Sequence, residues 1–263
     1  MFFFQVPLFK LFVEAPQVMF KEKNTATSVF GCQSIDELID VVEDAGNSYF
    51  KNYWEETKAK KRQFRAGCFA AGVDLNGLSV LDIGPGTGDS LEVAREQGAR
   101  VTMAVDMNPY FTKLQLLRGH QAFLRNYTRK DALNRYYPVE CSGVDFIWSK
   151  GALNCYEYAN GSSPMRWIKD KIKGFDLAEW FTQMQGLTSK KGCIVFTPAV
   201  SRQSTFIEDP DYPIKTLYWV PDKASFRKSK YISMMESLGF SVIEGVKDLN
   251  HDQAFPFSFV WKR

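Results

Sequence analysis

The chain predicts an open α/β fold, on three observations. The apolar run Val80-Leu81-Asp82-Ile83 breaks into Gly84-Pro85-Gly86-Thr87-Gly88, and a helical pattern (Ser90, Leu91, Val93, Ala94) follows at once. A second strand pattern, Val101-Thr102-Met103-Ala104-Val105, ends in Asp106. Strand and helix patterns then alternate over much of the remaining chain, the pattern of a sheet with crossover helices.

The glycine stretch carries the chemistry. A strand that turns through glycines into a helix sets backbone N–H groups and the positive end of the helix beside a ligand. Glycine leaves a ligand room to approach the backbone there. Asp106 follows the first glycine by about twenty residues, the separation at which an acid on the second strand tip binds ribose hydroxyls. Two details narrow the ligand. The glycines run G-x-G-x-G, not the G-x-G-x-x-G of a pyrophosphate turn. Asp82 stands two residues before the first glycine, badly placed for a pyrophosphate and well placed for an ammonium group.

On these residues the chain resembles the class I S-adenosylmethionine (SAM) methyltransferases, whose first motif is written here as LDIGPGTG, with Asp106 matching the ribose-binding acid. The likeness spans roughly residues 75–263 and marks the cofactor rather than the substrate. It implies a Rossmann-like, seven-stranded, mostly parallel sheet with helices on both faces and an antiparallel closing strand. It also implies SAM as cofactor, and divides the chain into an N-terminal extension with a helical cap (1–70) and a methyltransferase domain (71–263). Carried over residue by residue, the cofactor set is Asp82, Gly84, Pro85, Gly86, Gly88 and Asp106, with Ser149 facing the reactive end. Met107 would meet the adenine face, or serve only as packing. A Tyr-Trp pair on the helix before the motif commonly lines the family's pocket, which brings in Tyr53 and Trp54. Aromatics at that spacing also read as core.

Taken in order, residues 1–33 show no clear period, and Pro7 and Pro16 argue against one long helix. Ser34-Ile35-Asp36-Glu37 is a capping box opening a helix with Leu38, Ile39, Val41 and Val42 on one face. A second helix is expected from about Asn47 towards Ala70, aromatic at first and basic later (Lys58, Lys60, Lys61, Arg62, Arg65). Gly72 to Gly77 is turn chemistry before the first strand. Asn108-Pro109 opens a helix through Leu117, and Gln121 to Tyr127 is the candidate third strand. Asn126 and Asp131 stay open as adenine contacts beyond it. Val144 to Ser149 is the fourth strand, with Asp145 structural at its start. Leu177 to Leu187 is a helix whose end is read at Lys190-Lys191-Gly192, Cys193 to Pro198 the fifth strand, and Phe226 to Leu238 a helix stopped by Gly239. Phe240 to Glu244 and Phe255 to Trp261 read as the closing pair.

Composition bounds the rest. The 263 residues suit one large α/β domain, or one with a small appendage. With 45% hydrophobic and 24% charged residues the core has ample apolar material. A net charge of +3 is too small to argue for nucleic acid as partner, which is not expected, and Ser149-Lys150-Gly151-Ala152 counts against base methylation, since adenine-modifying DNA enzymes of this fold carry Asp/Asn-Pro-Pro-aromatic there. Five dispersed cysteines and no export signal point to a reducing, cytoplasmic location. Two histidines argue against a zinc site, so no metal is expected, and no stretch reaches membrane-span length. The apolar start packs on the domain or on a second copy, the latter making a homodimer.

Methyl transfer from a sulfonium is an in-line displacement, so placement matters most. Acceptor contacts are expected beyond the fourth strand and in the two long loops, from Lys150, Asn154, Tyr156 and Tyr212. No general base stands out: His120 and His251 read as structural or surface groups. The aromatic loops favour a small-molecule or glycan acceptor, with O-methylation ahead of N-methylation. An NAD(P)-dependent oxidoreductase, an aminopropyl transferase and a non-catalytic methyltransferase-like subunit are the alternatives.

Overall fold

The computed structural model describes residues 28–44, 57–154, 175–199, 205–206, 217–218, 230–244 and 257–263. Helix α1 (Ile35–Asp44) opens on the expected cap: Ser34 Oγ accepts the Glu37 N–H at 3.1 Å. The Glu37 carboxylate reaches back to the Gln33 N–H at 2.6 Å. Helix α2 (Thr57–Ala71) is the described part of the second expected helix. Gly72, in the left-handed region at φ 62°, stops it, with Val73 N–H returning to Cys68 O at 2.9 Å.

The alternation then runs β1 (Ser79–Ile83), α3 (Asp89–Glu96), β2 (Val101–Asp106), α4 (Pro109–Leu117), β3 (Gln121–Leu124), β4 (Val144–Asn154), α5 (Leu177–Leu187) and β5 (Thr188–Ala199). After a small ribbon, β6 (Thr205–Phe206) with β7 (Leu217–Tyr218), come α6 (Lys230–Ser237), β8 (Ser241–Glu244) and β9 (Phe257–Lys262). The main sheet has seven strands in the order β3-β2-β1-β4-β5-β9-β8. β1 to β5 are parallel neighbours, and β9 runs antiparallel to both β5 and β8. This is the expected closing strand.

Every residue of β1 is buried, as a central parallel strand covered on both faces should be. One face packs Leu81, Ile83, Met103, Val105 and Ile147 against Trp180, Phe181 and Met184 of α5. The other packs Val80, Ala104, Phe146 and Trp148 against Phe64 and Cys68 of α2 and Leu91 and Val93 of α3. Each buried Val, Leu, Ile, Phe or Met among them contributes roughly 1.5–3 kcal/mol. The N-terminal helix packs on this layer through Val29, Leu38 and Val42, which meet Tyr110, Phe111 and Leu114 of α4.

Four sequence expectations change. β3 stops at Leu124, because Asn126 and Thr128 form a turn. β4 and β5 extend beyond their apolar runs, by five residues past Ser149 in the first case. Lys190, Lys191 and Gly192 belong to β5 and do not end α5. The basic stretch of α2 is in part an ion-pair face: Lys61 and Arg65 both meet Glu96 of α3, at 3.2 and 3.1 Å.

Candidate functional site

The carboxyl ends of β1, β2 and β4 meet at the glycine bend. Asp82, on β1, is 2% exposed, and its Oδ2 accepts from the Ser90 hydroxyl in the first turn of α3. Its Oδ1 is buried and has no hydrogen-bond partner. Burial pushes the Asp82 carboxyl up to about 7; Ser90 opposes this, Asp106 and Asp89 add to it, and Lys150 partly offsets it. Asp106, at the end of β2, takes the Asn108 N–H on Oδ1 at 2.8 Å and the Gly86 N–H on Oδ2 at 3.3 Å. Burial raises this carboxyl to about 7 as well, against those two N–H groups and that of Met107.

The bend is held from behind. Gln115 Nε2 donates to Gly86 O at 2.8 Å, Arg118 donates to Thr87 O, and Thr87 Oγ1 donates to Asp89 Oδ2 at 2.6 Å. Asp89 Oδ1 and Gln115 Oε1 are also buried without a hydrogen-bond partner, although Arg118 lies 3.9 Å from Asp89 Oδ1. Gly84, Gly86 and Gly88 all lie in the left-handed region, at φ 72°, 56° and 77°.

These glycines also serve the protein's own packing. A Cβ on Gly88 would lie 1.9 Å from Gln115 Oε1, and one on Gly84 would lie 2.8 Å from Ala152 Cβ. At these two positions glycine makes room for the protein's own α4 and β4. Pro85, Gly86 and Gly88 are buried too, and Gly84 is half-buried.

The remaining named residues divide. Met107 is half-buried at the tip of β2 and packs on the core. Ser149 is wholly buried and its Oγ donates to Ile83 O at 3.2 Å. Lys150 Nζ donates to Gln63 Oε1 of α2. Asn154 ends β4, paired with Ala199 of β5. Tyr53, Trp54, Tyr156 and Tyr212 lie outside the described residues, as does His251. Asn126 Oδ1 accepts from Thr128 N and Oγ1, and Asp131 accepts from Leu133 N and Arg135, so both side chains serve their own turns. His120 is structural: its Nδ1 bonds Thr102 Oγ1 and its Nε2 bonds Glu92 Oε1, each at 2.7 Å.

Sequence reasoning missed Ser90, Gln63, Gln115 and Tyr127. Gln115 reaches the bend, Tyr127 reaches Ala152 and Gln63 reaches Lys150 across spans of chain that no local pattern encodes, whereas Ser90 lies two residues beyond the last glycine. Among the described residues no group of three or more His, Cys, Asp or Glu side chains is arranged to hold a metal ion.

No family model matches the chain, and no curated protein does. Solved structures do. An S-adenosylmethionine-dependent methyltransferase from Mesorhizobium loti is 14% identical, over 74% of this chain and 95% of that one, with a TM-score of 0.44. A putative one from Methanococcus maripaludis is 13% identical, over 88% and 94%, with a TM-score of 0.43. The magnesium protoporphyrin IX methyltransferase of Synechocystis PCC 6803, solved with bound SAM, is 14% identical, over 85% and 94%, with a TM-score of 0.43. Strand order, a single antiparallel strand in the main sheet and a glycine bend on the central β1 make this a Rossmann-like α/β fold.

Proposed function

We propose that the chain is a SAM-dependent methyltransferase, acting on a small-molecule or glycan acceptor and favouring O-methylation. One observation carries the cofactor: the buried, unpartnered Oδ1 of Asp82, beside two further buried aspartates, Asp89 and Asp106. A carboxylate in that position needs a donor and a positive charge, and an ammonium group supplies both. A dinucleotide pyrophosphate would add negative charge to three aspartates, which weighs against the oxidoreductase alternative.

When bound, SAM supplies an electrophilic methyl, so the chain's task is to hold and orient. Asp82 would take the ammonium through Oδ1. Asp106 would take the ribose hydroxyls on the lone pairs left by the Gly86 and Asn108 N–H groups. Gly86, Pro85 and Met107 would border the nucleoside, with Tyr53 and Trp54 covering it. The overhang of β4 would face the methyl, and Lys150, Asn154, Tyr156 and Tyr212 would meet the acceptor. The proposed division is an extension of residues 1–70 before a catalytic domain of 71–263, with the extension available for a homodimer contact.

Cys32, Cys68, Cys141 and Cys193 are free and buried, which fits the cytoplasm. No described helix is long and apolar enough to cross a membrane. Calorimetric titration with SAM, S-adenosylhomocysteine and NAD tests the cofactor: binding of the first two without NAD is expected, and NAD alone binding would overturn it. Transfer of label from methyl-labelled SAM across hydroxyl and amine acceptors then tests the acceptor class.

A further inference from the structure

The ladder between β1 and β4 ends at Asp82↔Trp148, yet β4 continues to Asn154. Its pairing with β5 also shifts register between Lys150 and Asn154. Two side chains take over where the ladder stops. Ser149 Oγ donates to Ile83 O, and the Tyr127 phenol donates to Ala152 O, both at 3.2 Å. A Cβ on Gly84 would lie 3.1 Å from the Tyr127 hydroxyl and 2.8 Å from Ala152 Cβ, so phenol, overhang and bend are in contact. Tyr127 is itself fixed: it is buried, and its carbonyl accepts the Trp180 indole N–H at 2.8 Å.

The sheet order says which part of a ligand this contact would affect. β2 flanks β1 on one side and β4 on the other. A ligand with its ribose on Asp106 of β2 and its ammonium on Asp82 of β1 has its amino-acid part nearer β4. The Tyr127–Ala152 contact therefore lies towards the amino-acid part and away from the nucleoside.

We propose that Tyr127 is a positioning residue: through Ala152 it holds the 149–154 overhang against Gly84 and so shapes the end of the site that takes the ligand's amino-acid part. The proposal rests on the cofactor reading above. Tyr127→Phe keeps the ring and the Trp180 bond and removes the tether to Ala152. The full-length variant and the wild type are titrated with SAM and with 5′-methylthioadenosine, which has the nucleoside and the thioether but no amino-acid group.

The variant is expected to lose about two- to tenfold in affinity for SAM, the range of one net hydrogen bond. Affinity for methylthioadenosine is expected to change less than about twofold. Equal losses for the two ligands, or no loss for SAM, would overturn the proposal. If Tyr127→Phe does not give the wild-type circular dichroism spectrum, Ser149→Ala, which removes the other tether, carries the test with the same two outcomes. Wild-type protein that binds neither ligand would instead overturn the cofactor reading.

Discussion

Replacing Asp82 by Asn tests the site with two readouts of opposite sign. The side chain keeps its shape and its contact with Ser90, but the charge goes. A charge-assisted hydrogen bond is worth about 1.5–3 kcal/mol, so affinity for SAM should fall roughly 10- to 150-fold. Stability of the ligand-free protein should move the other way. Burial lifts the Asp82 carboxyl from 3.8 to about 7. Folded protein therefore holds this proton more tightly than unfolded chain, and stability falls as pH rises from about 4 to about 7, then levels.

About three pKa units at 1.36 kcal/mol each set an upper limit of about 4 kcal/mol on that loss. Above pH 7, Asp82→Asn should melt several degrees higher than wild type, with a flatter pH dependence between pH 5 and 8; Asp106 supplies the slope that remains. Titration calorimetry and thermal melts over that range give both numbers. An Asn variant that binds SAM within about twofold of wild type and melts with the wild-type pH profile would refute the reasoning.

Asp106→Ala should weaken SAM by on the order of 1.5–3 kcal/mol per ribose bond lost. A 2′-deoxyribose analogue should then lose less on mutation than SAM itself, and identical losses would remove the ribose role. Gly88→Ala puts a Cβ 1.9 Å from Gln115 Oε1 and forces a left-handed backbone, so unfolding free energy in urea should fall by about 2–4 kcal/mol; an unchanged midpoint would contradict that packing. Trp180→Ala empties a fully buried site and frees the Tyr127 carbonyl, with an expected loss of about 3–5 kcal/mol. Binding of the cationic cofactor should lower the Asp82 carboxyl and release protons near pH 6.5, seen as a dependence of binding heat on buffer ionisation enthalpy. Absence of that dependence would say that no carboxyl near the ligand titrates there.

The strands legible in the sequence were those in the middle of the sheet. β1 and β2 are buried on both faces for most of their length, so each is an apolar run with a carboxylate at or near its tip, and Asp82 and Asp106 could be read directly. β3 is an edge strand, exposed or half-buried throughout, and lacks such a run; its end was misread. The far half of β4 escaped notice because it runs past its ladder with β1 and pairs only with β5, where the register shifts, so no apolar run marks it. The packing role of Gly84 and Gly88 was not legible for a related cause. A glycine motif tells where the backbone must be bare, but what fills the space, here Ala152 and Gln115, comes from elements far along the chain. Gln63 and Lys150 meet for the same reason, 87 positions apart in the chain.

A crystal structure of the chain with SAM bound would test the central claim most directly. The account predicts the ligand's ammonium within hydrogen-bond reach of Asp82 Oδ1 and its ribose hydroxyls on Asp106. A ligand bound elsewhere, with Asp82 Oδ1 satisfied by the protein's own side chains, would contradict it.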